Sequence, residues 1–599
     1  MFENIVAINP NICYTDGKFE DCELNIFNIK PFKKLIYLNY HDIEILKIIR
    51  FGIRSPRCYD KSGKYFRDAE TKYKHEKNDV SSYFDDKLIG PFSRQEIILK
   101  FSYPIVCGTI MSIEKSDNKF RFVIDKQNKN LLYEHLTRFP YKLRLPGLRE
   151  VALYIQLESI TGVSVIDYSQ YYRQLPMNRY NSGNCIIKRV IESKEMFYID
   201  SKAQMGGKFI PSAAQRVSSA VSFLFNSNAK HRNISISMTY QDDTVIFSKK
   251  DGERHAHNFI KLSQECGLDL KLSKCVINQQ RAVWLGITFD FKNKTISPSP
   301  KRIKSLLNTI SKLHEKRACT LQEIQSFLGK LASLTISGYY NIKPMLYSLR
   351  GLDNEKYASS IIKISDSHII ELKLARNAIM NYENSSSITF NTLRFIVESE
   401  YKEYQCLNNE EPIELVSELI LLSNNILPSE NYILSVTDAS MSRSGGLIIF
   451  KNRCQTFSFD NLKFTSLSID KKECIAAVVS ALICVEQKIK ADGIIMLCDS
   501  EITRYIIVKS NAKSLILKKL TCILGFEMSK GKYWYSCVRI STKVNLLADK
   551  LSRIGYLDSG NLDYPVRKVS DDLVLEIISK IDVLINELSY FKFLEQLIA

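Results

Sequence analysis

The sequence of 599 residues predicts a mixed α/β protein, in which two α/β units are joined by a helical section. Strand-like alternation of apolar and polar residues occurs around 104–125, 161–168, 234–248 and 283–296. Apolar residues at helical spacing follow in "PKRIKSLLNTISKLHEKR" and "LQEIQSFLGKLASLTI". Alternation resumes at "NYILSVTDAS" and "GGLIIF", before a helix-like "KKECIAAVVSALICVEQKIK" and a further strand, "GIIMLCDS". Because a chain of this length is too long for one core, we expect several domains.

The composition indicates a partner of negative charge. The formal net charge is +18 at pH 7, which favours nucleic acid or a membrane surface as partner, with a coding bias towards Lys, Asn and Ile as the alternative explanation. The longest apolar run, near "CIAAVVSALICV", is too short to span a bilayer. The first residues also lack the pattern of a secretion signal. We therefore expect a protein of the cytoplasm or the nucleus without a membrane partner.

The cysteine pattern argues against disulfides and zinc. The 15 cysteines have no C-x-x-C spacing and no regular framework. We therefore expect reduced thiols, many of them in cores, such as Cys474 and Cys498. With 8 histidines and no paired cysteines, a structural zinc site is not expected.

Two adjacent carboxylates, Asp242 and Asp243, lie between two strand-like runs in "SISMTYQDDTVIFSKK". The alternation on both sides predicts a β-hairpin with the aspartates at its tip. Taken alone, the pair is more simply explained as a turn, because Asp tolerates turn conformations. Upstream, however, Asp167 ends the apolar strand "VSVI", and a third carboxylate at a strand end can join the tip in one metal site. Divalent ions held there would stabilise the attacking and leaving oxygens of a phosphoryl displacement.

Five segments of this region resemble, in order and spacing, the motifs of reverse transcriptases. "TYQDDTVIF" looks like the Y-x-D-D box, "DYSQYYRQLPM" like the first aspartate motif, and "QMGGKFIPSAAQR" like the P-x-G…A-P-x-x-F-Q segment. "LKLSKCVINQQRAVWLGITFD" resembles the next two blocks, and "GPFSR" with "SIEKSDNKFRFVID" resembles the fingers. An ordered set is more specific than any single motif. The resemblance implies that Asp167, Asp242 and Asp243 bind two Mg²⁺ ions, with Mn²⁺ as the alternative ion.

The same resemblance implies which residues bind substrate. Lys115 and Arg121 would neutralise the charge of the incoming triphosphate, with a solvated basic hairpin as the alternative. Tyr172 would clash with a 2′-hydroxyl and so select deoxynucleotides, with a core aromatic as the alternative. The other expected substrate contacts are Met205 and Gly206 near the nucleotide or template, Gln215 in the same segment, and Lys274, which would protonate the leaving pyrophosphate unless it is only a surface lysine.

The sequence departs from the family pattern near the predicted triphosphate pocket. Tyr171 is bulky where the family usually has a small residue, and the proline before Gly206 is absent. The pocket is therefore expected to have a different shape, while the acidic residues are all retained.

A second set of four acids follows the helical section. Asp438 lies on a predicted strand, Glu473 near the start of a helix, Asp499 at a strand end and Asp549 in a late helical segment. Acids on such elements can converge on two metal ions and support hydrolysis, although each alone is also explained as a cap or surface residue. "TDAS", "DS" and N-x-x-A-D-x-L-S-R resemble the ribonuclease H attached to retrotransposon polymerases. The histidine that often precedes the last aspartate in that family is not visible in "WYSCVRISTKVNLLAD".

The resemblance implies a right-hand polymerase with fingers, palm and thumb, a helical connection and a ribonuclease H-like α/β domain. The composition around 407–431 is typical of a linker. The expected partners are RNA and DNA template–primers, RNA–DNA hybrids, deoxynucleoside triphosphates and other proteins of the same retroelement, with duplexes bound mainly through shape and phosphates. The predicted segments are an N-terminal region of unknown role at 1–89, fingers and palm at 90–300, thumb and connection at 301–430, the ribonuclease H-like domain at 431–556 and a helical tail at 557–599.

A polymerase followed by ribonuclease H, without a protease, integrase or zinc-knuckle pattern in this sequence, resembles the DIRS class of retroelements, with gypsy-type LTR elements as the alternative. The expected activity is RNA-directed DNA synthesis, with hydrolysis of the RNA strand of the hybrid. The rival hypothesis is a domesticated or decayed copy that binds nucleic acid without catalysis. The presence of all seven acids favours activity.

Overall fold

The computed structural model describes residues 28–42, 44–53, 69–70, 88–100, 106–114, 120–125, 145–155, 157–177, 186–204, 209–228, 234–335, 340–352, 361–382, 387–401, 412–510 and 512–598. The chain divides into two compact units, one of residues 1–147 and 159–285 and the other of residues 148–158 and 286–599. Helices and strands alternate in both, so the predicted mixed α/β class is confirmed. The finer division into five segments stays a prediction.

Strands and helices of the described residues are numbered here in chain order. The strands are β1 (Ala69–Glu70), β2 (Leu88–Phe92), β3 (Val106–Glu114), β4 (Phe120–Asp125), β5 (Gly162–Asp167), β6 (Ile186–Ile191), β7 (Lys194–Asp200), β8 (Ser235–Tyr240), β9 (Asp243–Ser248), β10 (Val276–Gln279), β11 (Arg281–Trp284), β12 (Ile287–Asp290), β13 (Thr295–Pro298), β14 (Ala318–Thr320), β15 (Ile361–Lys363), β16 (Ile388–Thr389), β17 (Tyr432–Ala439), β18 (Arg443–Phe450), β19 (Arg453–Asp460), β20 (Gly493–Cys498), β21 (Trp534–Arg539) and β22 (Val566–Lys568). The α-helices are α1 (Ile29–Tyr37), α2 (Glu44–Phe51), α3 (Arg94–Lys100), α4 (Leu148–Tyr154), α5 (Tyr171–Gln174), α6 (Ile210–Asn226), α7 (Gly252–Glu265), α8 (Pro300–Lys316), α9 (Leu321–Thr335), α10 (Tyr347–Gly351), α11 (Asp366–Tyr382), α12 (Phe390–Tyr401), α13 (Val416–Ile426), α14 (Ile469–Glu486), α15 (Glu501–Lys509), α16 (Leu515–Gly531), α17 (Leu546–Arg553), α18 (Asp571–Asp582) and α19 (Tyr590–Ile598). Short 3₁₀ segments lie at Leu157–Ser159, Leu272–Lys274, Tyr340–Leu346 and Asn461–Phe464, and a π-helical segment at Val583–Glu587.

The first unit contains a sheet of strand order β10–β5–β9–β8. Strands β8 and β9 form the predicted hairpin, with Tyr240 opposite Asp243, and β9 lies antiparallel to β5. Helix α6 packs on β8, and α7 packs on β5, β9 and β10. A second sheet has the order β1–β3–β6–β7–β2, with β4 paired to β3.

The core of the first unit lies between the β10–β5–β9–β8 sheet and its helices. Ile166 of β5 and Ile246 of β9 are buried in one cluster with Phe225 of α6 and Phe259 of α7. Phe32 of α1 belongs to the same cluster, so the first described helix is part of this core. Because neighbouring strand residues point to opposite faces, the residues on either side of Ile166 and Ile246 face away from the helices.

The second unit is built around a sheet of order β21–β20–β17–β18–β19–β22. Strand β17 pairs antiparallel with β18 and parallel with β20, and all eight of its residues are buried. Such a buried central strand explains the nearly continuous apolar run in the sequence. Helices α14 and α17 both pack against β17 and β18. Three of the second set of acids lie on β17, α14 and α17, and the fourth, Asp499, directly follows β20.

The buried position of helix α14 explains why its sequence shows little amphipathic character. Residues from Cys474 to Cys484 are all buried, because the helix packs on β17 and β18 and also contacts α16 and α18. A helix that is apolar all round is typical of a buried position.

The predicted helical section is confirmed at α8 and α9. On α8, Ile303, Leu306, Ile310 and Leu313 are buried at three- and four-residue spacing, which is the amphipathic pattern expected. The linker interpretation of 407–431 is wrong over α13, where Val416 and Leu419 are buried. A helix could form there because its apolar residues find a core that the local sequence does not reveal.

The predicted helical tail forms α18 and α19, both packed within the second unit. Ser570 caps α18 by accepting a hydrogen bond from the Leu573 N–H at 3.4 Å. The buried Lys519 Nζ donates to the carbonyls of Ile585 and Leu588, at 3.0 and 2.6 Å, and so ties the π-helical segment to α16. Within the described ranges, no helix combines the length and the apolar composition that crossing a bilayer requires.

Candidate active sites

The hairpin of β8 and β9 brings the first three acids together. Asp243 begins β9 directly opposite Asp167, the last residue of β5. Side chains of directly opposed residues lie on the same face of a sheet, with Cβ atoms roughly 5 Å apart. Asp242 occupies the turn just before β9, and its carbonyl accepts a hydrogen bond from the Tyr168 N–H at 3.5 Å. The structure therefore sets Asp167 opposite Asp243 and places Asp242 in the adjoining turn, while the predicted metal site that the three would share stays a prediction.

These carboxylates lie on the sheet face opposite to the helices. Ile166 and Ile246 point into the helical core, and strand side chains alternate between faces. Asp167 follows Ile166 by one residue and Asp243 precedes Ile246 by three, so both aspartates point the other way. The carboxylates are thus presented at the end of two strands, away from α6 and α7.

The surroundings of Asp243 change its protonation. Burial, together with the charges of Asp242 and Asp167, raises the pKa of Asp243 to about 6, while Lys274 opposes the shift. Lys274 Nζ lies 3.3 Å from Asp167 Oδ2 and keeps more than half of its side chain exposed. The predicted lysine is therefore beside the carboxylates, where its positive charge partly offsets their repulsion.

Small polar residues let α6 approach β8 closely. On β8, Ser235, Ser237 and Thr239 are buried, whereas the apolar residues between them are only half-buried. The Thr239 hydroxyl lies 2.5 Å from that of Ser222, and Asn226 Oδ1 accepts from the Ser237 N–H at 2.8 Å. The hairpin is consequently fixed to the helix by hydrogen bonds as well as by apolar packing.

Gln215 holds the hairpin tip from α6. Its Nε2 donates to the Thr239 carbonyl at 2.8 Å, and its Oε1 accepts from the Gln241 N–H at 2.6 Å. The residue is buried, and these hydrogen bonds give it a positioning role at the tip. The substrate contact that the family resemblance implies for Gln215 stays a prediction.

Two neighbouring tyrosines have different roles. The Tyr171 hydroxyl donates to the Ala214 carbonyl at 2.7 Å, and the ring is buried in the core. Tyr172 is half-buried, and its hydroxyl donates to Gln241 Oε1 at 2.7 Å. Burial, with the charge of Asp242, raises the pKa of Tyr172 to about 12. Tyr172 therefore lies near Asp242, whereas Tyr171 is a core residue, and the predicted contact of Tyr172 with the sugar stays a prediction.

Several of the predicted substrate contacts cannot be placed in the described part of the chain. Lys115, Met205 and Gly206 lie outside the described residues. Arg121 is described only as a backbone position on β4, opposite Ile113 of β3. The expected triphosphate contacts therefore stay predictions.

The four acids of the second unit also converge. Asp438 is on β17, Glu473 in the first turns of α14, Asp499 just after β20, and Asp549 on α17. Asp499 and Asp549 both raise the pKa of Asp438, and Asp499 and Asp438 both raise that of Glu473. Each acid thus lies close enough to at least one other for their charges to interact.

Glycine at position 445 lets α17 reach this cluster. Gly445 is paired with Asp438 across β17 and β18. A Cβ atom on Gly445 would lie 2.9 Å from the Leu551 Cβ and 3.0 Å from its backbone carbonyl, which is closer than side chains pack. The absence of a side chain there allows α17, which carries Asp549, to lie directly against β18.

Burial is the main cause of the raised pKa values in this second cluster. It raises the pKa of Asp438 to about 6 and that of Glu473 to about 7, and it also raises the pKa of Asp499. A hydrogen bond from Ser552 partly opposes the shift of Asp438, and one from Ser500 that of Glu473. Without a compensating cation, full ionisation of such a group is unfavourable.

Three residues of the N-x-x-A-D-x-L-S-R motif, not assigned individual roles from the sequence, contact Asp438 and Asp549. Ser552 Oγ donates to Asp438 Oδ2 at 2.5 Å, and Asn545 Nδ2 lies 3.4 Å from Asp438 Oδ1. Arg553 Nε donates to both carboxylate oxygens of Asp549 at 2.8 Å. Asn545, Ser552 and Arg553 are four before, three after and four after Asp549, so helical spacing was the signal that could have found them.

Comparisons with known proteins place no family name on the chain. No family model matches it, and no curated protein matches it either. A solved structure of a foamy viral protease-reverse transcriptase in complex with double-stranded DNA is similar to this chain, with a TM-score of 0.41 and 14% identity, covering 87% of this chain and 99% of that chain. A structure of the form termed dRH, also in complex with double-stranded DNA, has a TM-score of 0.41 and 13% identity, covering 87% of this chain and 84% of that chain. A third, in complex with an RNA/DNA hybrid, has a TM-score of 0.36 at 14% identity, covering 93% and 66%. At these TM-scores the matches do not identify the family of this chain.

The donor set of both clusters suits a hard divalent cation. The acids supply only carboxylate oxygens, the ligands that Mg²⁺ prefers. Among the residues that the structure describes, no three His, Cys, Asp or Glu side chains are close enough to hold a single ion in this conformation. The fit therefore rests on two observations: the opposed pair Asp167 and Asp243, and the raised pKa values that a cation would lower.

Proposed function

We propose that the chain is an RNA-directed DNA polymerase with ribonuclease H activity. The observation that carries the proposal is the register of β5 and β9, which sets Asp167 opposite Asp243 with Asp242 in the adjoining turn. Two carboxylates opposed on one sheet face, with a third on the adjoining turn, are of the type that two-metal nucleotide transfer needs.

The residues of the first cluster have distinct proposed roles. Asp167, Asp242 and Asp243 would hold Mg²⁺, or Mn²⁺, which supplies charge stabilisation to the attacking and leaving oxygens when bound. Lys274, 3.3 Å from Asp167, would hold a proton near the departing pyrophosphate. Gln215 and Gln241 would keep the aspartates in place through the hydrogen bonds at the hairpin tip.

The proposed substrate contacts follow from the same placement. Tyr172, beside Asp242, would pack against the sugar and exclude a 2′-hydroxyl. Lys115 and Arg121 would bind the triphosphate, because guanidinium and ammonium groups pair with phosphate oxygens. Met205 and Gly206 would approach the nucleotide or template. Deoxynucleoside triphosphates and an RNA or DNA template–primer are the proposed substrates.

The second cluster supports hydrolysis of the RNA strand in an RNA–DNA hybrid. Asp438, Glu473, Asp499 and Asp549 would hold Mg²⁺, and Ser552 and Asn545 would orient the Asp438 carboxylate. Because the family's histidine is not visible in the sequence, proton transfer to the leaving group would depend on solvent.

We further propose that the chain comes from a retroelement of the DIRS class and acts in the cytoplasm or the nucleus, with other proteins of the element as partners. The support is the order of the polymerase motifs, with "GPFSR" before the fingers, followed by the ribonuclease H motifs. A gypsy-type LTR element is the alternative class.

Primer extension on an RNA template with deoxynucleotides and Mg²⁺ tests the polymerase proposal. Asp243→Asn keeps the size of the side chain and removes a carboxylate charge, so extension should fall at least about 100-fold. Asp251→Asn is the matched control, because Asp251 is exposed and lies beyond the far end of β9. It should leave extension unchanged.

The rival is a chain that binds nucleic acid without catalysis. Absence of incorporation by the wild-type chain, equal to that of Asp243→Asn, together with retained template binding, would leave only this rival. Incorporation by both proteins at the same rate would show that the hairpin aspartates are not the polymerase site.

A further inference from the structure

The first unit contains a cleft that the proposed activities do not use. It has a volume of about 890 Å³ and lies between α1, the last turn of α6 and one side of α7. Its floor includes Leu224 and Phe225 of α6, and its rim is formed by polar and charged side chains. The volume is within the roughly 300–1,000 Å³ range of ligand-binding clefts.

Positive charge dominates the rim. Lys30 and Lys34 lie four residues apart on α1, and Arg254 and Lys261 lie seven apart on α7, so each pair projects from one side of its helix. None of these four side chains has a salt bridge with a carboxylate among the described residues. Glu265 is the acidic residue that lines the same cleft, which leaves a net surplus of positive charge.

The wall formed by α1 is fixed in place. Phe32 and Leu35 of α1 are buried in the core of the unit. The chain after α1 is held by an ion pair between Asp42 and Arg216 of α6, with atoms 3.0 Å apart, and by the Tyr40 and Phe223 rings, whose centroids are 4.6 Å apart. Because the walls of the cleft are already fixed, its residues lose little conformational entropy when a ligand binds.

The cleft is separated from the carboxylates by a layer of helices. Ala256 and Phe259 of α7 face the core shared with the sheet. At about 100° per residue, Arg254 and Lys261 point to the opposite side of α7. Asp167 and Asp243 lie on the sheet face remote from the helices, so the cleft and the carboxylates are on opposite sides of this layer.

We propose that this cleft binds the phosphodiester backbone of single-stranded nucleic acid, as a site separate from the polymerase centre. Four cations around a narrow depression match a chain of phosphates, and such grooves bind single strands with little sequence preference. The depression is too small to admit a duplex. A bilayer surface is flat and would reach only its rim. Asn28 and Asn258 add amide groups that can hydrogen-bond to sugars or bases.

Binding of a fluorescein-labelled dodecamer of thymidylate tests the proposal. Fluorescence anisotropy is measured with the full chain, in the presence of saturating unlabelled hairpin duplex, over a range of salt concentrations. The variant Lys30→Gln/Lys34→Gln/Arg254→Gln/Lys261→Gln should bind at least about 10-fold more weakly near 150 mM salt. Its log–log salt slope should fall by about 2–3, because each phosphate contact to a single strand contributes about 0.7.

A matched variant removes the same amount of charge elsewhere. Lys363→Gln/Lys490→Gln/Lys513→Gln/Lys592→Gln neutralises four exposed lysines of the second unit and should leave affinity and slope unchanged. Glu265→Gln should tighten binding about 2- to 5-fold, a gain that misfolding does not produce. Equal loss in both quadruple variants, or no loss in the first, would overturn the site.

Two further experiments distinguish this proposal from the polymerase proposal and from membrane binding. Primer extension on a short template should be normal in the quadruple cleft variant. Loss of single-strand binding in this variant supports the proposed binding site whether or not the wild-type chain extends a primer. Cosedimentation with phosphatidylserine vesicles should be the same for the wild type and the cleft variant. Loss of vesicle binding with unchanged oligonucleotide binding would assign the cleft to membrane headgroups and refute the proposal.

Discussion

Gln241 shows how one residue fixes the two aspartates that follow it. Its φ of 54° lies in the left-handed region, which residues other than glycine rarely adopt. The backbone N–H of Gln241 donates to Gln215, and its side-chain oxygen accepts from the Tyr172 hydroxyl. Because the backbone N–H and the side chain of Gln241 are both hydrogen-bonded, the strained turn is kept in one conformation. The positions of Asp242 and Asp243, which follow directly, are fixed as a result.

Ser552 has a comparable role in the second unit, where it positions Asp438. It is fully buried and donates its hydroxyl hydrogen to Asp438. The contact occupies one carboxylate oxygen, and the other lies 3.4 Å from Asn545 Nδ2, so the serine and the asparagine together set the orientation of Asp438. Outer contacts of this kind typically contribute 10- to 100-fold to the function of a metal-binding carboxylate.

Ser552→Ala should therefore lower the rate of RNA–DNA hybrid cleavage by about 10- to 100-fold. The substitution removes a small polar group from a tight site, so it creates little cavity, and the KM for the hybrid should stay near the wild-type value. Ser552→Thr, which keeps the hydroxyl, should recover part of the rate. Full cleavage by Ser552→Ala would show that the Ser552 hydroxyl is not needed to orient Asp438.

At the scale of elements, local periodicity predicted the hairpin, the helical section, the tail and the strand that carries Asp438. It could do so because alternation and helical spacing are properties of neighbouring residues. It did not predict that Ser235, Ser237 and Thr239 form the buried side of β8, because this depends on the approach of α6. The roles of Gln215 and Ser552, and the helix α13 within linker-like sequence, likewise depend on contacts between distant segments.

Glu371 links three helices of the second unit. Its carboxyl group on α11 accepts from the N–H groups of Ser348 and Leu349, at 2.8 and 3.0 Å, and from the Tyr590 hydroxyl of α19 at 2.8 Å. The side chain is fully buried. Burial raises the pKa of Glu371 above its usual value, although these hydrogen bonds oppose the shift.

The stability of this junction should depend on pH with a definite sign. A raised folded-state pKa means that the folded chain binds more protons than the unfolded chain between the two pKa values. The contribution of Glu371 to stability is therefore complete below the unfolded pKa and is lost as pH rises through the folded pKa. Each unit of pKa difference corresponds to about 1.4 kcal/mol.

Glu371→Gln removes this titration and replaces one acceptor by a donor. At pH near 4.5 the variant should unfold at a lower temperature than the wild type, because an N–H group loses its partner at about 1–3 kcal/mol. The difference in Tm should shrink as pH rises, since only the wild type is destabilised. Exposed Glu576→Gln is the control and should follow the wild type. A difference that grows with pH would mean that ionised Glu371 stabilises the fold.

At the scale of the whole molecule, the two acidic clusters belong to different compact units. Asp167, Asp242 and Asp243 lie in the unit of residues 1–147 and 159–285, and the four other acids lie in the unit of residues 148–158 and 286–599. No acid of one cluster appears among the causes of the pKa shifts resolved in the other. Sites without shared partners usually contribute additively, so the two proposed reactions should be separable by single substitutions.

Asp438→Asn should abolish hybrid cleavage, by about 100-fold or more, and leave primer extension within about twofold of the wild type. Asp243→Asn should have the opposite pattern, and the double variant should lose both activities with no further effect on either. Asp492→Asn, at an exposed aspartate of the second unit, is the control and should change neither. Both assays use the full chain, with a blocked hybrid for cleavage and a primed RNA for extension. If Asp438→Asn stopped primer extension while cleavage continued, the assignment of the two activities to the two units would be wrong, because neither metal-binding cluster could then perform the reaction that its carboxylates predict.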